Sequence, residues 1–311
     1  MTKVIDTQSQ DIRRAVPATV GLESSIALLE RNHRAKEAGG TVGVPTGIKC
    51  IDEALGGLQE GLHVIAGEPG AGKTALALNI VRHCSREGYP VLYASCDEMF
   101  DRLIIKLICA QMGLRASELL KGNGDLGQFI QASDNYGSDL LSNIFFISPD
   151  MRFSLLDIGE QLQRQLEDSA KDKGLLVIDY LQPFARSMMM LKSDKQRYRN
   201  MEFRHVIGAV CENLRGIANK LKIPVIIICS QNREGQNTNK MSSLKESGEI
   251  EYSIDAFMAL CKANENDTRS TGIKLYRSLT FVKNRFGTCD TYGLTLNGLT
   301  QAMTDFRSAS Y

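Results

Sequence analysis

The octapeptide GEPGAGKT occupies residues 67–74, directly after the apolar run HVIAG (63–67) and at the start of the stretch KTALALNI (73–80). It satisfies G-x-x-x-x-G-K-[ST] in full, between a strand and a helix, which is the context in which that pattern builds a phosphate-binding loop. Gly67, Gly70 and Gly72 let the backbone turn tightly and aim its N–H groups inward, where they cradle phosphate oxygens at a helix N-terminus. Lys73 adds a cation for the β- and γ-phosphates, and Thr74 offers a hydroxyl to Mg²⁺. Glu68, Pro69, Ala71 and Ala75 complete the loop and the first helical turn, so the expected nucleotide contacts run from Gly67 to Ala75, with ATP and Mg²⁺ as cofactors.

Outward from the loop, short apolar runs alternate with helical stretches. The runs VLYAS (91–95), IFFIS (144–148), LLVIDY (175–180), VIIICS (225–230), FMALC (257–261) and LTFVK (279–283) read as strands, with helices at 73–87, 102–112, 154–172 and 203–221. Several runs are continuously apolar, as strands covered on both faces of a parallel sheet are. The pattern therefore predicts a doubly wound α/β fold with a mostly parallel sheet. MMMLKSDKQRYRNM (188–201) and NREGQNTNKMSS (232–243) interrupt the rhythm as polar insertions at strand ends.

A nucleotide site of this kind needs an acid at the end of a second strand. Asp179 closes LLVID after four apolar residues, a position where an unpaired carboxylate is expensive to bury, and it is the expected Mg²⁺ partner of Thr74. Hydrolysis also needs a base to orient water. The strand VLYAS runs into Cys96-Asp97-Glu98-Met99, so Asp97 and Glu98 are both candidates, and side-chain alternation lets only one of them face the phosphate.

Composition sets limits. Net charge is +1 with 43% hydrophobic and 23% charged residues, so the molecule is no polycation and nucleic-acid contact must come from local patches. Its eight cysteines form no C-x-x-C pair and sit mostly in apolar runs, which reads as reduced thiols rather than metal ligands. No run approaches the ~20 apolar residues of a membrane span, and the first residues lack a signal-peptide core, so a cytoplasmic protein is expected. Residues 22–38 place Leu22, Ile26, Leu29 and His33 on one face of a short helix ended by Gly39-Gly40. Residues 1–40 thus read as an arm and helix, and 41–311 as the main domain.

Taken in order, GVPTGIKCIDEALGGLQEG (43–61), GKTALALNI (72–80), VIDYLQ (177–182), IPVIIICSQNR (223–233), SLKESGEIEYSIDAFM (243–258) and KNRFG (283–287) resemble the C-terminal motor domain of DnaB-type replicative helicases, ring-shaped RecA-like ATPases. The resemblance implies a RecA-like P-loop NTPase that hydrolyses ATP, translocates on single-stranded DNA and assembles as a homo-oligomer, a hexameric ring. It implies Glu98 as catalytic glutamate, Gln231 as γ-phosphate sensor, and Lys283 and Arg285 as the pair that reaches a neighbouring subunit's ATP site, Arg285 being the finger. It also implies that Lys245, Glu246, Ser247 and Gly248 form a DNA-contacting loop, and that helix 22–38 stands where the family has its linker helix. The basic segment KSDKQRYRNMEFR (192–204), with Tyr198 and Phe203, is a second candidate for contact with nucleic acid.

Four departures qualify the likeness. One extra residue follows Ser95 compared with the family's Ser-Leu-Glu-Met, which leaves Glu98 and Asp97 as alternatives. The sensor strand is one residue shorter, and the loop's Gly-Glu-Pro start is more typical of other RecA-like ATPases. The sequence shows no counterpart of the family's N-terminal domain, which supports a collar and helps dock primase, so a primase or loader partner is not inferable from it. The alternative function is a RecA/KaiC-like ATPase that binds DNA or protein without unwinding.

Overall fold

The computed structural model describes residues 18–148, 153–191, 198, 201–230, 253–263 and 267–306. It divides at Val42 into two units. The first contains helix α1, Ala18–Glu37, which carries Leu22, Ile26 and Leu29 on an exposed stripe and ends ahead of Gly39, in the left-handed region at φ 74°.

In the second unit, Gly43–Tyr311, the described elements follow as α2 (Lys49–Leu55), β1 (Gly61–Gly67), α3 (Lys73–Arg86), β2 (Val91–Ser95), α4 (Phe100–Met112), α5 (Ala116–Leu120) and α6 (Leu126–Ala132). A π-helical turn, Ser133–Gly137, leads into α7 (Ser138–Leu141), then β3 (Ile144–Ile147), α8 (Leu155–Glu167), β4 (Leu175–Asp179), α9 (Leu181–Met190) and α10 (Phe203–Leu221). The chain finishes with β5 (Pro224–Ser230), β6 (Ala256–Lys262), β7 (Lys274–Asn284), β8 (Thr291–Asn297) and β9 (Met303–Asp305).

The nine strands form one sheet in the order β3-β2-β4-β5-β1-β6-β7-β8-β9. The pairs from β3 to β6 are parallel, and β6-β7, β7-β8 and β8-β9 are antiparallel. The expected doubly wound sheet is present, extended by an antiparallel edge. Strand alternation divides the core. On β1, Ile65 faces a cluster that includes Leu76, Ile80, Leu103 and Leu107, while Leu62, Val64 and Ala66 face Ile158, Leu162, Phe184, Val206 and Leu214. Helices α3 and α4 thus cover one face and α8, α9 and α10 the other, each fully buried aliphatic side chain stabilising the fold by about 1.5–3 kcal/mol.

Local chemistry sets the helix ends. Ser154 and Asp157 close a reciprocal capping box at the start of α8, satisfying N–H groups that the helix itself cannot pair. α3 starts differently: Gly72 gives it no side-chain cap, so its first N–H groups point into the loop 67–72. The insertion expected from residue 188 begins later than the sequence suggests, because Met188 is buried within α9. Pro183 is tolerated there because it lies in the first helical turn, where its missing N–H has no intrahelical partner to lose. Tyr198, expected near nucleic acid, is instead buried in the core beneath α9 and α10. The second insertion, 232–243, lies outside the described residues.

Candidate nucleotide-binding site

The phosphate loop connects the end of β1, at the centre of the sheet, to α3. Gly70 and Gly72 have φ of 75° and 103°, a region closed to most side chains, and this turns the loop back over the helix N-terminus. Lys73 is 4% exposed, and its Nζ donates to Gly67 O at 2.9 Å and Glu68 O at 3.0 Å. Burial lowers its pKa, while the Asp179 charge opposes that shift. Its ammonium also sits 5.7 Å from the Tyr180 ring centroid. Ala71 and Ala75 are buried beneath the loop, and Pro69 and Gly70 are exposed at its rim.

Strand pairing brings the metal-site candidates together. Ser95 of β2 lies beside Asp179 of β4, so both strand ends open beside α3. Asp179 Oδ2 accepts hydrogen bonds from Thr74 Oγ1 at 3.1 Å and Tyr93 OH at 2.6 Å. Its other oxygen, Oδ1, is buried and accepts none. Burial pushes this carboxyl up to about 6 against the two hydrogen bonds, and the Asp97 charge adds to the rise. A buried carboxylate oxygen without a hydrogen-bond partner, beside a threonine hydroxyl, is an oxygen donor pair suited to a hard divalent cation, and the nearby lysine suits an anionic phosphate. Among the described residues no cluster of three or more His, Cys, Asp or Glu forms a separate metal site, and all eight cysteines are free thiols.

The two candidate acids differ in setting. Glu98 is held by its backbone, with its N–H donating to Ser95 Oγ and its carbonyl accepting from the same hydroxyl. Its Oε2 pairs with Lys106 Nζ from α4 at 2.5 Å. Asp97 is exposed, and its charge acts on Asp179 and Tyr180.

Four groups that no motif announced complete the surroundings. Arg277 of β7 is 6% exposed, and its Nε donates to Ala71 O at 2.8 Å while Nη1 donates to Tyr276 O, so a buried guanidinium braces the phosphate loop. Its sequence signal was the stripe Leu275, Arg277, Leu279, Phe281 at period two, in which one charged residue occupies a core-facing place and must be paired. Tyr93 orients Asp179, Lys106 neutralises Glu98, and Lys262 at the end of β6 lies 4.0 Å from Glu68.

The remaining predicted residues are not gathered here. β7 runs antiparallel to β6, so its C-terminal end lies beside the start of β1, where Ala256 pairs with Asn284 and His63 with Ala256. Arg285 follows directly, its N–H donating to Asp255 O and its Nη1 to Asp255 Oδ1 at 2.9 Å. Lys283 pairs with Phe257 one turn of the pleat away. The phosphate loop leaves the other end of β1, six residues on, which at 3.3 Å per residue is about 20 Å distant. Gln231 and the stretch Lys245, Glu246, Ser247 and Gly248 lie outside the described residues.

Among the described residues no helix is long and apolar enough to cross a membrane. The family model for the DnaB-like helicase C-terminal domain matches residues 43–306. A probable replicative DNA helicase of Guillardia theta is 29% identical over 239 residues, covering 75% of this chain and 38% of the relative. The replicative DNA helicase DnaC of Bacillus subtilis (strain 168) is 29% identical over 276 residues, covering 86% of this chain and 57% of the relative. The chain therefore spans from about two fifths to under three fifths of those relatives' length. Among solved structures, the ATPase domain of G40P aligns with a TM-score of 0.78 at 20% identity, covering 94% of this chain and all of that one. A KaiC-like protein of Pyrococcus horikoshii OT3 aligns with a TM-score of 0.54 at 16% identity, covering 86% of this chain and all of that one. With its phosphate loop, second-strand acid and RecA-like sheet in the family's order over 43–306, the chain belongs to the family of DnaB-like helicase C-terminal domains.

Proposed function

We propose that this chain is the ATP-hydrolysing motor of a DNA helicase that assembles as a hexameric ring, translocates on single-stranded DNA and serves DNA replication. One observation carries the reading: Lys73, Thr74 and Asp179 converge at the uncapped N-terminus of α3, with a buried carboxylate oxygen left open for a cation. Residues 67–75 would hold the nucleotide, the backbone N–H groups and Lys73 meeting its phosphates. Thr74 and Asp179 would hold Mg²⁺, whose chemistry there is neutralisation of charge developing on the transferred phosphoryl group. Glu98 orients the attacking water, with Asp97 as the alternative acid. Gln231 senses the γ-phosphate, and Lys245 to Gly248 contact the DNA backbone.

Arg285 and Lys283 serve the neighbouring subunit. Their position supports this, since Arg285 is rooted at the end of β1 opposite its own phosphate loop and an arginine side chain does not span that distance. Such fingers are worth on the order of 10³–10⁵ in rate, so turnover depends on assembly. Residues 1–40, with the exposed stripe of Leu22, Ile26 and Leu29 on α1, act as the arm and linker helix, and 41–311 as the motor.

Steady-state ATP turnover with and without single-stranded DNA, followed by strand displacement on a forked duplex, tests the proposal. DNA-stimulated turnover with displacement supports the helicase. Stimulated turnover without displacement supports the second reading, a RecA/KaiC-like ATPase that does not unwind, to which the Gly-Glu-Pro start of the phosphate loop points. Negligible turnover in assembled protein rejects both.

A further inference from the structure

Arg285 shares its acceptor with a second arginine. Asp255 Oδ1 receives Arg285 Nη1 and Arg215 Nη2, each at 2.9 Å, while Oδ2 receives Leu62 N–H at 2.9 Å. The carboxylate is fixed in place. Its own N–H donates to Leu62 O, and a Cβ on Gly61 would lie 2.2 Å from Oδ2, so the backbone there is shaped around it. The two arginines are not equivalent. Arg215, on α10, is 28% exposed and also donates to Ser253 O, whereas Arg285 is 48% exposed. His63, close enough to feel the Asp255 charge, is buried, and burial lowers its pKa, so it stays neutral and offers no third cation.

A buried carboxylate that loses its only cation becomes a strongly unfavourable uncompensated charge. A single Asp255–Arg285 pair would therefore resist any movement of Arg285. With two guanidinium groups on one carboxylate, either can leave while the charge stays paired, and the more exposed, less tethered one is Arg285. We infer that Arg215 is the standing counter-ion of Asp255, a positioning residue that makes Arg285 releasable from its own subunit to the neighbouring nucleotide site. This rests on the reading of Arg285 as a finger acting in trans.

The test uses the assembled full chain with ATP and single-stranded DNA, measuring kcat and KM for R285A, R215M and R215M/D255N. R285A should lose turnover at nearly unchanged KM. R215M should lower kcat about tenfold at unchanged KM, since Asp255 then holds Arg285 alone and the released population falls in proportion. In R215M/D255N the neutral amide can still accept from Leu62 N–H but no longer holds a cation, and kcat should return to within about threefold of wild type. A purely structural Arg215 predicts the opposite, a double variant as poor as R215M or worse, and that result overturns the inference, as does wild-type kcat in R215M. If R285A stays active, the finger reading fails and the inference falls with it, a pattern distinct from an inactive R285A beside an unaffected R215M. Should R215M lose cooperative unfolding, R215K replaces it: kept charge with wild-type kcat supports the role, and a tenfold loss refutes it.

Discussion

Asp179→Asn separates what the site does for stability from what it does for chemistry. In the folded chain burial holds this carboxyl at about 6, although Tyr93 and Thr74 both donate to it. An ordinary aspartate titrates near 3.9, so the shift is about 2 pKa units, and at 1.36 kcal/mol per unit the ionised folded state carries a penalty of about 3 kcal/mol. The folded state binds the proton more tightly than the unfolded chain. This contribution to stability is therefore full below the unfolded pKa, falls as pH rises, and is gone above about 6. Asn does not titrate and escapes that pH dependence. Its amide nitrogen, placed at the buried Oδ1 position, costs about 1–3 kcal/mol for want of an acceptor, but equally at every pH. Urea unfolding in EDTA at several pH values therefore isolates the carboxyl. The stability of D179N relative to wild type should rise by roughly 2 kcal/mol between pH 4.5 and 7.5 and then level off. Mg²⁺ with a non-hydrolysable ATP analogue should reverse the order, raising the wild-type midpoint well above that of D179N. A stability difference flat across this pH range would refute the assignment of a strained, uncompensated carboxylate at this position.

Arg277→Met removes a charged donor worth about 1.5–3 kcal/mol from the phosphate loop, so a fluorescent nucleotide should bind roughly 10- to 100-fold more weakly; unchanged affinity in a folded variant would show that Arg277 supports the core alone. E98Q should lower ATP turnover at least ~100-fold and D97N only a few-fold, as loss of a general base does; the reverse pattern moves the water-orienting role to Asp97. Lys73→Ala should abolish hydrolysis with the fold intact, and mixing it with R285A subunits should restore part of the turnover at mixed interfaces. Properly mixed rings that stay inactive would count against a finger acting in trans.

Physical reasons separate what the sequence made legible from what it hid. Strands β1, β2, β4, β5 and β6 showed because a sheet covered on both faces needs unbroken apolar runs, as LLVID and PVIIICS display. The short β3 and the alternating β7 showed through their local apolar segments IFFI and LTFV. β8 escaped because TYGLTLN lies in an antiparallel edge where only Leu294 and Leu296 are buried. α9 was obscured by Pro183 and by a methionine run that looks like the start of an insertion, yet Met188 packs in the core. Lys73, Thr74 and Asp179 were readable because phosphate chemistry fixes their types and local spacing. Lys106 was not, because its contact with Glu98 depends on how α4 leaves β2, a tertiary relation with no sequence period. The same holds for Arg215 and Asp255, forty residues apart and joined only by the packing of α10 on β1 and β5.

On the proposed reading of Arg285 as a finger acting in trans, the polarity of the sheet explains why the motor would be an assembly. Parallel strands gather their C-terminal ends at one edge, and β1, β2 and β4 deliver the phosphate loop, Glu98 and Asp179 there. β7 reverses direction against β6 and so divides its residues between both edges. Near its start, Arg277 reaches the phosphate loop of its own subunit; at its end, Arg285 is delivered to the opposite edge. One strand thus braces the site at home and offers a cation away from it, and no side-chain rotation can bring the second arginine to the first. On that reading, completion of the site calls for a second copy that presents this opposite edge to the phosphate loop. Asp255 and Arg215 then matter because an arginine destined for another subunit must rest somewhere in its own without being trapped there.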